Sequence, residues 1–439
     1  MQAELLVAPA IPPLTRFRAV PARSGDHHLI RQMLVPIFHG PSAAEFQAQS
    51  EDPSYAPRDR LLVRHHDELI AHAHLTRREM HFGGLRLPIV GLWDLAVLPE
   101  YRNRGCGQEL LRAAERQMMA EQAALGVLRT RSPHFFLRRG WAVWSRHSYS
   151  VARAREILSH LRETEARGHD PLRPRVPPLN IRLWRHVERA ALVRLYDHNT
   201  ARSYGPLVRN EAYWRWLIDR RAYDRIYVAI DGPDKLELDD CMSPIVGYAV
   251  VREGRIVEMM TAPSHPHAPA QLLARACGDA IEQDLHYVRL DAEPGHPLHD
   301  VLVAAGGEKH YHEAESGEVF LAKLFDPWSL LARLAGQLHH RAKQAELPLP
   351  CELGLCVNGE KRCLSIRPRC VRLASGRIAR SRLECSGGGF LQLVLGHVDV
   401  LAAVATGRLI ASTRLALEAA AALFPRLPLW RPPLDDLQA

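Results

Sequence analysis

The sequence predicts an α/β (α+β) chain built as two successive α/β units and a third α+β unit. Three observations predict it. The stretch Gly91–Gly107, GLWDLAVLPEYRNRGCG, reads as a buried strand, a tight basic glycine turn and the start of a long helix. The order of elements in the first part of the chain repeats after about residue 180. From Asp326 the texture changes to an amphipathic helix followed by short alternating strands. At 439 residues and 47% hydrophobic content the chain has ample core for about three domains. Their boundaries are read at 1–160, 161–325 and 326–439.

In chain order, Arg16–Pro21 reads as a strand and Asp26–Phe38 as a helix, with apolar residues at Ile30, Met33 and Ile37. Pro41–Arg58 is polar and irregular. Leu61–His65 and Leu69–Thr76 are strands around His66-Asp67-Glu68, and Met80–Pro88 is a second hairpin with Gly83-Gly84 at its tip. His72 and His74 share a strand face near His65 and His66, where core-edge or solvated histidines are the expectation rather than a metal site. The apolar run Leu92–Leu98 ends at Pro99, which cannot donate to a ladder. Leu110, Leu111, Ala114, Met118 and Leu125 then recur at helical spacing.

That order has a physical use. A helix start leaves unpaired N–H groups and a partial positive charge, which together suit an anion. Gly105 and Gly107 let backbone approach a bulky anion, and Arg102 and Arg104 add full charges. A pyrophosphate fits such a turn. No Gly-Lys-Ser/Thr follows, so it is not a P-loop, and the third glycine and downstream acid of a dinucleotide fingerprint are missing.

Val127–Arg131 is a short strand, Pro133 opens a helix that Gly140 ends, and Trp141–Val151 returns as a strand. Glu163–Pro178, rich in charge and proline, reads as a linker. The second unit has strands at Ile181–Trp184, Ile226–Ile230, Ile245–Val251, Arg255–Met260, Tyr287–Leu290 and Val319–Leu324. Its helices are Val187–Tyr196, Glu211–Ile218 and Pro269–Gln283, and Asp231–Asp240 is an acidic loop. Its counterpart of the basic glycine turn, Thr261–Pro266, has no R-x-x-G-x-G. In the third unit a helix spans Trp328–Ala345. Strands are expected at Cys351–Val357, Cys363–Arg367, Val371–Ala374, Ser381–Cys385 and Phe390–Leu395, with helices near Val398–Ala405 and Leu415–Leu423.

Net charge is +8 and the sequence pI about 9.2, with the positive residues spread rather than clustered, so no nucleic-acid partner is expected. Eight cysteines include no C-x-x-C, so no metal site is expected, and strand cysteines are read as small core hydrophobes. The N-terminus is apolar without a basic residue before Arg16, and no apolar run reaches membrane-spanning length. The expectation is a cytoplasmic protein with no membrane partner.

The block Asp94-Leu95-Ala96-Val97-x-Pro99-Glu100-Tyr101-Arg102-x-x-Gly105-x-Gly107 resembles the GNAT superfamily of acyl-CoA-dependent N-acyltransferases. So does Phe135-Phe136-Leu137-Arg138-Arg139-Gly140-Trp141; together the two blocks cover roughly residues 16 to 152. The resemblance implies acetyl-CoA as co-substrate and an amine acceptor. It implies that the pantetheine arm lies along Leu95, Ala96 and Val97, and that Arg102, Asn103, Arg104, Gly105, Cys106, Gly107 and Gln108 hold the pyrophosphate. Asp94 either faces the acceptor amine or is a hydrogen-bonded strand aspartate. Phe136 falls where the family's thiolate-protonating tyrosine would stand, and His134 is the nearby candidate to replace it.

Two tandem GNAT-like domains followed by a sterol-carrier-protein-like α+β domain resemble the Eis (enhanced intracellular survival) family. That resemblance implies a homo-oligomer, usually a hexamer, and a C-terminal carboxylate, here on Ala439, that acts as or positions the base. Other classes left open are a CoA-binding regulatory or sensor protein and a lipid-binding protein acting through its C-terminal domain.

Overall fold

The structure, a computed structural model, describes residues 17–167, 178–232, 244–376 and 379–437. The chain divides into two compact units, one formed by the residues up to Thr76 with Gly91–Gln122, the other by Arg77–Val90 with Ala123 onward.

In the first unit, β1 (Ala19–Pro21) leads to α1 (His27–Phe38) and α2 (Ala43–Ser50). Strands β2 (Arg60–His65), β3 (Glu68–Phe82) and β4 (Leu85–Val97) follow, then α3 (Cys106–Ala120). β1 is antiparallel to β2 and β2 to β3, with Leu62 opposite both Val20 and His72. The helices bury Ile30, Met33, Leu34 and Phe46 against Leu62, Leu69 and Ala96. Helix α2 corrects the irregular reading of Pro41–Arg58. Ser42 Oγ accepts from Glu45 N while Glu45 Oε2 accepts from Ser42 N, a reciprocal capping box that starts it. The two strands expected before and after Thr76 are one strand, β3, and the hairpin arm after Gly83-Gly84 runs without a break into the buried strand, as β4.

The second unit begins with the β3–β4 hairpin tip. It continues through β5 (Leu125–Thr130), α4 (Pro133–Leu137), β6 (Ala142–Val143), β7 (His147–Arg153) and α5 (Ala154–Arg167). Next come β8 (Asn180–Leu183), α6 (Arg189–Thr200), β9 (Tyr204–Leu207), α7 (Glu211–Asp219), β10 (Arg225–Ile230), β11 (Ile245–Arg252) and β12 (Arg255–Thr261). α8 (Ala268–Glu282), β13 (Tyr287–Asp291), α9 (Leu298–Ala304), β14 (Glu308–His312), β15 (Ala314–Glu315) and β16 (Glu318–Leu324) complete this stretch. The expected linker is helical as far as Arg167, and residues 168–177 lie outside the described ones, as does the acidic loop from residue 233.

Two strands exchange places relative to the sequence reading. Trp141–Val151 is not one strand. β6 pairs with β16, and after Trp144–Arg146 the chain enters a second sheet as β7, between β13 and β14, in the order β14-β7-β13-β12-β11-β10-β8. In return β16, read as the last strand of the second α/β unit, pairs antiparallel with β5 from Val319↔Thr130 to Leu324↔Leu125. Such non-local pairing leaves no trace in local periodicity.

The C-terminal stretch holds α10 (Pro327–Arg333), α11 (Ala335–Gln344), β17 (Cys351–Val357), β18 (Glu360–Ile366), β19 (Val371–Ser375) and β20 (Arg382–Cys385). It ends with α12 (Gly387–Val394), α13 (Val400–Ala405), β21 (Leu409–Ala411) and α14 (Arg414–Leu423). Its sheet order is β19-β18-β17-β20-β21. The expected helix Trp328–Ala345 is broken in two at Leu334. The expected strand Phe390–Leu395 is a helix. Ser386 Oγ accepts from Gly389 N, and Phe390, Leu391, Leu393 and Val394 turn inward at helical spacing. One apolar core joins these elements to Met80, Phe82, Leu87 and Ile89 of the hairpin tip. Among the described residues no helix is long and apolar enough to cross a membrane.

Candidate functional site

In the first unit, β4 ends at Val97 and a short turn of 3₁₀ helix, Pro99–Tyr101, leads to the basic loop. The turn is pinned at its base, since Leu98 N donates to Ile70 O at 3.0 Å and Arg102 Nε to Val97 O at 3.3 Å. Gly105 sits at the N-cap of α3 with φ +93°, where a side chain is strained, and a Cβ built on it would meet nothing within 4 Å. Among the described residues no side chain caps the helix, which leaves its first N–H groups open to an acceptor. Arg102, Asn103 and Arg104 are exposed, Gly107 and Gln108 half-buried, and Cys106 is buried. Arg104 lies over the Tyr101 ring at 5.5 Å. An uncapped helix start, open space before a left-handed glycine and two exposed guanidinium groups fit a pyrophosphate. The residues the sequence singles out therefore suit the pyrophosphate of an acyl-CoA in charge and space, except the side chain of Cys106, which is buried.

Asp94 lies in the same strand, ahead of half-buried Leu95, buried Ala96 and half-buried Val97. Its φ is +48°, in the left-handed region in the middle of a strand, a backbone conformation met at β-bulges. Its Oδ2 is enclosed and, among the described residues, has no hydrogen-bond partner. Burial pushes its carboxyl pKa up, against the pull of the Arg60 charge. Among the described residues Oδ2 thus lacks the hydrogen bond that the alternative reading, a hydrogen-bonded strand aspartate, would give it.

A buried polar cluster missing from the sequence reading supports Asp94. Arg60 is 0% exposed, and among the described residues its hydrogen-bond partners are Gln49 (2.9 Å), Tyr55 (3.2 Å) and His72 (3.3 Å), none of them a carboxylate. Its guanidinium lies 4.5 Å over the Phe46 ring. His72, also 0% exposed, has Nδ1 at 3.0 Å from Asp94 O and Nε2 toward Arg60 Nη1. A carbonyl only accepts and a guanidinium only donates, so the ring is neutral with its proton on Nδ1. Burial and then the Arg60 charge lower its pKa to about 3. Tyr55 extends the cluster, its hydroxyl 2.7 Å from His27 Nε2 and its ring edge-on to His74. No motif announces this cluster; the one signal was an arginine directly ahead of the apolar run Leu61–Val63, on a strand facing the His72 strand.

The remaining expected residues lie elsewhere or outside the described chain. His134, in the second unit, is exposed on the short helix α4, and among the described residues its ring has no hydrogen-bond partner. Phe136 is buried, edge-on to Phe135 at 5.0 Å and Trp141 at 6.0 Å, and serves as core. Ala439 is outside the described residues. The tail leading to it is held within the second unit. Asp435 accepts from Arg209 Nε and Nη2 at 3.0 and 2.9 Å and from Tyr213 Oη at 3.2 Å, while Arg209 also binds Glu258. Leu434 packs with Trp214, Leu217 and Tyr248.

The strand carrying Asp94, the uncapped glycine turn and the helix after it all fall inside a stretch that matches a known family model. Residues 19–144 match the family model described as an acetyltransferase (GNAT) domain. The whole chain is similar in fold to solved proteins. A GCN5-related N-acetyltransferase from Kribbella flavida shares 18% identity at TM-score 0.69, covering 94% of this chain and 97% of its own. One from Anabaena variabilis ATCC 29413 shares 15% identity at TM-score 0.70, covering 95% and 99%. Eis1 from Mycobacterium abscessus shares 18% identity at TM-score 0.63, covering 94% and 97%. No curated protein matches the chain.

Proposed function

We propose that the chain transfers an acetyl group from acetyl-CoA to a primary amine, as an Eis-like N-acetyltransferase whose C-terminal domain is of the sterol-carrier-like type. The observation that carries this reading is the enclosed Oδ2 of Asp94, without a partner among the described residues, at the left-handed position of the strand that runs into the uncapped Gly105 turn. The exposed Arg102 and Arg104 and the N–H groups of Gly105–Gln108 hold the pyrophosphate. The backbone of Leu95, Ala96 and Val97 offers the pantetheine arm an edge to pair with. Bulging at Asp94 frees ladder groups there, and an N–H so freed polarises the thioester oxygen.

Asp94 takes the proton from the ammonium, leaving an amine whose lone pair attacks the thioester carbonyl. A carboxyl with a raised pKa is suited to this, because a base works best when its pKa approaches the operating pH. His72, locked by Arg60 and by the Asp94 carbonyl, fixes the bulge in place. The nitrogen of the tetrahedral intermediate gives its extra proton to water, collapse breaks the C–S bond, and the thiolate gains a proton from water, since Phe136 carries none. The enzyme works in the cytoplasm as a homo-oligomer.

Release of free thiol from acetyl-CoA in the presence of a panel of primary amines tests the reading. Amine-dependent release is expected. Tight acetyl-CoA binding without release toward any amine would instead make the chain a CoA-binding sensor.

A further inference from the structure

A cleft of about 240 Å³ opens within the second unit, between the ends of β5, β7 and β16 and the C-terminal segment at Leu429–Asp436. Its chemistry is one-sided. Six arginines line it against four carboxylates, and each carboxylate is already engaged. Asp291 takes Arg255 at 3.1 Å and Arg289 at 2.6 Å. Glu315 takes Arg289 and, at 3.1 Å, His147 Nδ1. Glu318 takes Arg129 and Arg131 at 3.4 and 3.6 Å, and Asp436 takes Arg431 at 2.8 Å. Arg146 turns to a carboxylate that does not line the cleft, Glu313, at 3.2 Å. The cleft thus offers a surplus of cationic donors and no free carboxylate.

Two further donors have no protein partner. Trp144 and Ser148, each 3% exposed, both line the cleft, yet Trp144 Nε1 and Ser148 Oγ bond to nothing among the described residues. An indole N–H can only donate, and leaving it buried without an acceptor costs free energy. Trp144, Phe320 and Trp430 supply flat apolar wall around them. Cationic walls, two idle donors and aromatic surface complement one kind of guest: a small molecule with an anionic oxygen group on a flat apolar body.

We propose that this cleft is a binding site for a small aromatic or apolar anion, a carboxylate or a phosphate ester, whose oxygens take the Trp144 Nε1 and Ser148 Oγ hydrogens. The site is read by binding alone and stands apart from the acetyl-transfer reading. A polycationic amine has no free carboxylate to meet there.

Calorimetry and thermal unfolding of the full chain with 3-phenylpropionate, phenyl phosphate and 3-phenylpropylamine, at equal ionic strength, test this. The anions should bind and raise Tm while the amine does neither, and the stronger of the two anions identifies the head group. Trp144→Phe with Ser148→Ala removes both idle donors and keeps an aromatic ring at position 144. It should lose some Tm to the space left by the smaller ring but still fold, since no protein hydrogen bond is removed, and should weaken anion binding by about tenfold or more, the usual worth of hydrogen bonds to a charged group. Absence of binding by both anions, an equal response to the amine, or an unchanged affinity in the double variant would each overturn the proposal; the last would mean that water alone satisfies the two donors.

Discussion

Arg209 and Asp435, 226 residues apart, share two hydrogen bonds of 3.0 and 2.9 Å with both side chains wholly excluded from solvent. The same guanidinium holds Glu258 at 3.0 and 2.6 Å and lies 3.9 Å over the Tyr196 ring. Tyr248 and Tyr213 complete the shell, each donating its hydroxyl to one of the carboxylates. The C-terminal segment is thereby built into the core of the second α/β unit. Asp435→Ala leaves Arg209 paired with Glu258 but takes the acceptor from Arg209 Nε and from the Tyr213 hydroxyl, so it should cost about 1–3 kcal/mol, whereas Arg209→Ala strands two buried carboxylates and should cost about 3–5 kcal/mol. Urea unfolding reads the loss. High salt should not mask it, because a wholly buried pair is screened little.

Much of the first unit was legible because its signals are local. Strand length, Pro99 and the glycine pair at 105 and 107 place the anion loop within a few residues of one another. The hairpin tips at His66-Asp67 and Gly83-Gly84 follow from turn chemistry. Helix α2 was legible too, in the Ser42–Glu45 capping box, but its polar composition argued for a loop. Phe390–Leu395 failed for another reason. A short apolar run suits strand and helix alike, and Ser386 as an N-cap was the deciding residue. The β7–β16 exchange and the Arg60–His72–Asp94 cluster depend on pairings between strands, which sequence spacing does not encode.

Gly105→Asp should weaken acetyl-CoA binding roughly a hundredfold or more. It places a carboxylate in the open space before the helix start, where the pyrophosphate charge is to sit, on a backbone at φ +93°. Calorimetric titration checks this, and near-parental affinity would remove the loop from the site.

Gly205 has φ +114°, and a Cβ there would run into the backbone of Trp430, whose N donates to Tyr204 O at 3.0 Å. Gly205→Ala should therefore push the C-terminal segment off β9 and lower Tm. Limited proteolysis should then cut the segment after Pro428 sooner than in the parent.

Asp94→Asn should lower kcat/KM by about 10² to 10⁴, the usual worth of a positioned base. The pH profile distinguishes that role from a structural one. The parent carboxyl has a pKa raised by burial, so the base form grows as pH rises through a value above the ordinary carboxylate range. The parent should show that rising limb, and the asparagine variant should lack it while keeping any limb due to the amine itself. A variant that merely loosened the bulge would lose rate but keep the limb.

His72 makes the first unit sensitive to acid. Its ring is neutral when folded, with a pKa lowered to about 3 by burial and by Arg60, against 6.5 for a free side chain. Between those values the unfolded chain binds a proton that the folded chain refuses. Stability is therefore complete above about pH 6.5 and falls as pH falls toward 3, by about 4 to 5 kcal/mol in total from this group. His296 and His397, both lowered to about 4, act in the same direction and are untouched by a change at His72. His72→Asn keeps a donor for the Asp94 carbonyl but cannot take the proton. It should cost about 1–3 kcal/mol at pH 7.5, because Arg60 Nη1 is then left without the ring nitrogen as acceptor. It should also shrink the stability difference between pH 7.5 and pH 5 by about 2 kcal/mol, the share of one such group across that interval. Urea midpoints at the two pH values give both quantities. An unchanged difference would show that His72 is already charged when folded, which its place between the Arg60 guanidinium and a carbonyl does not permit.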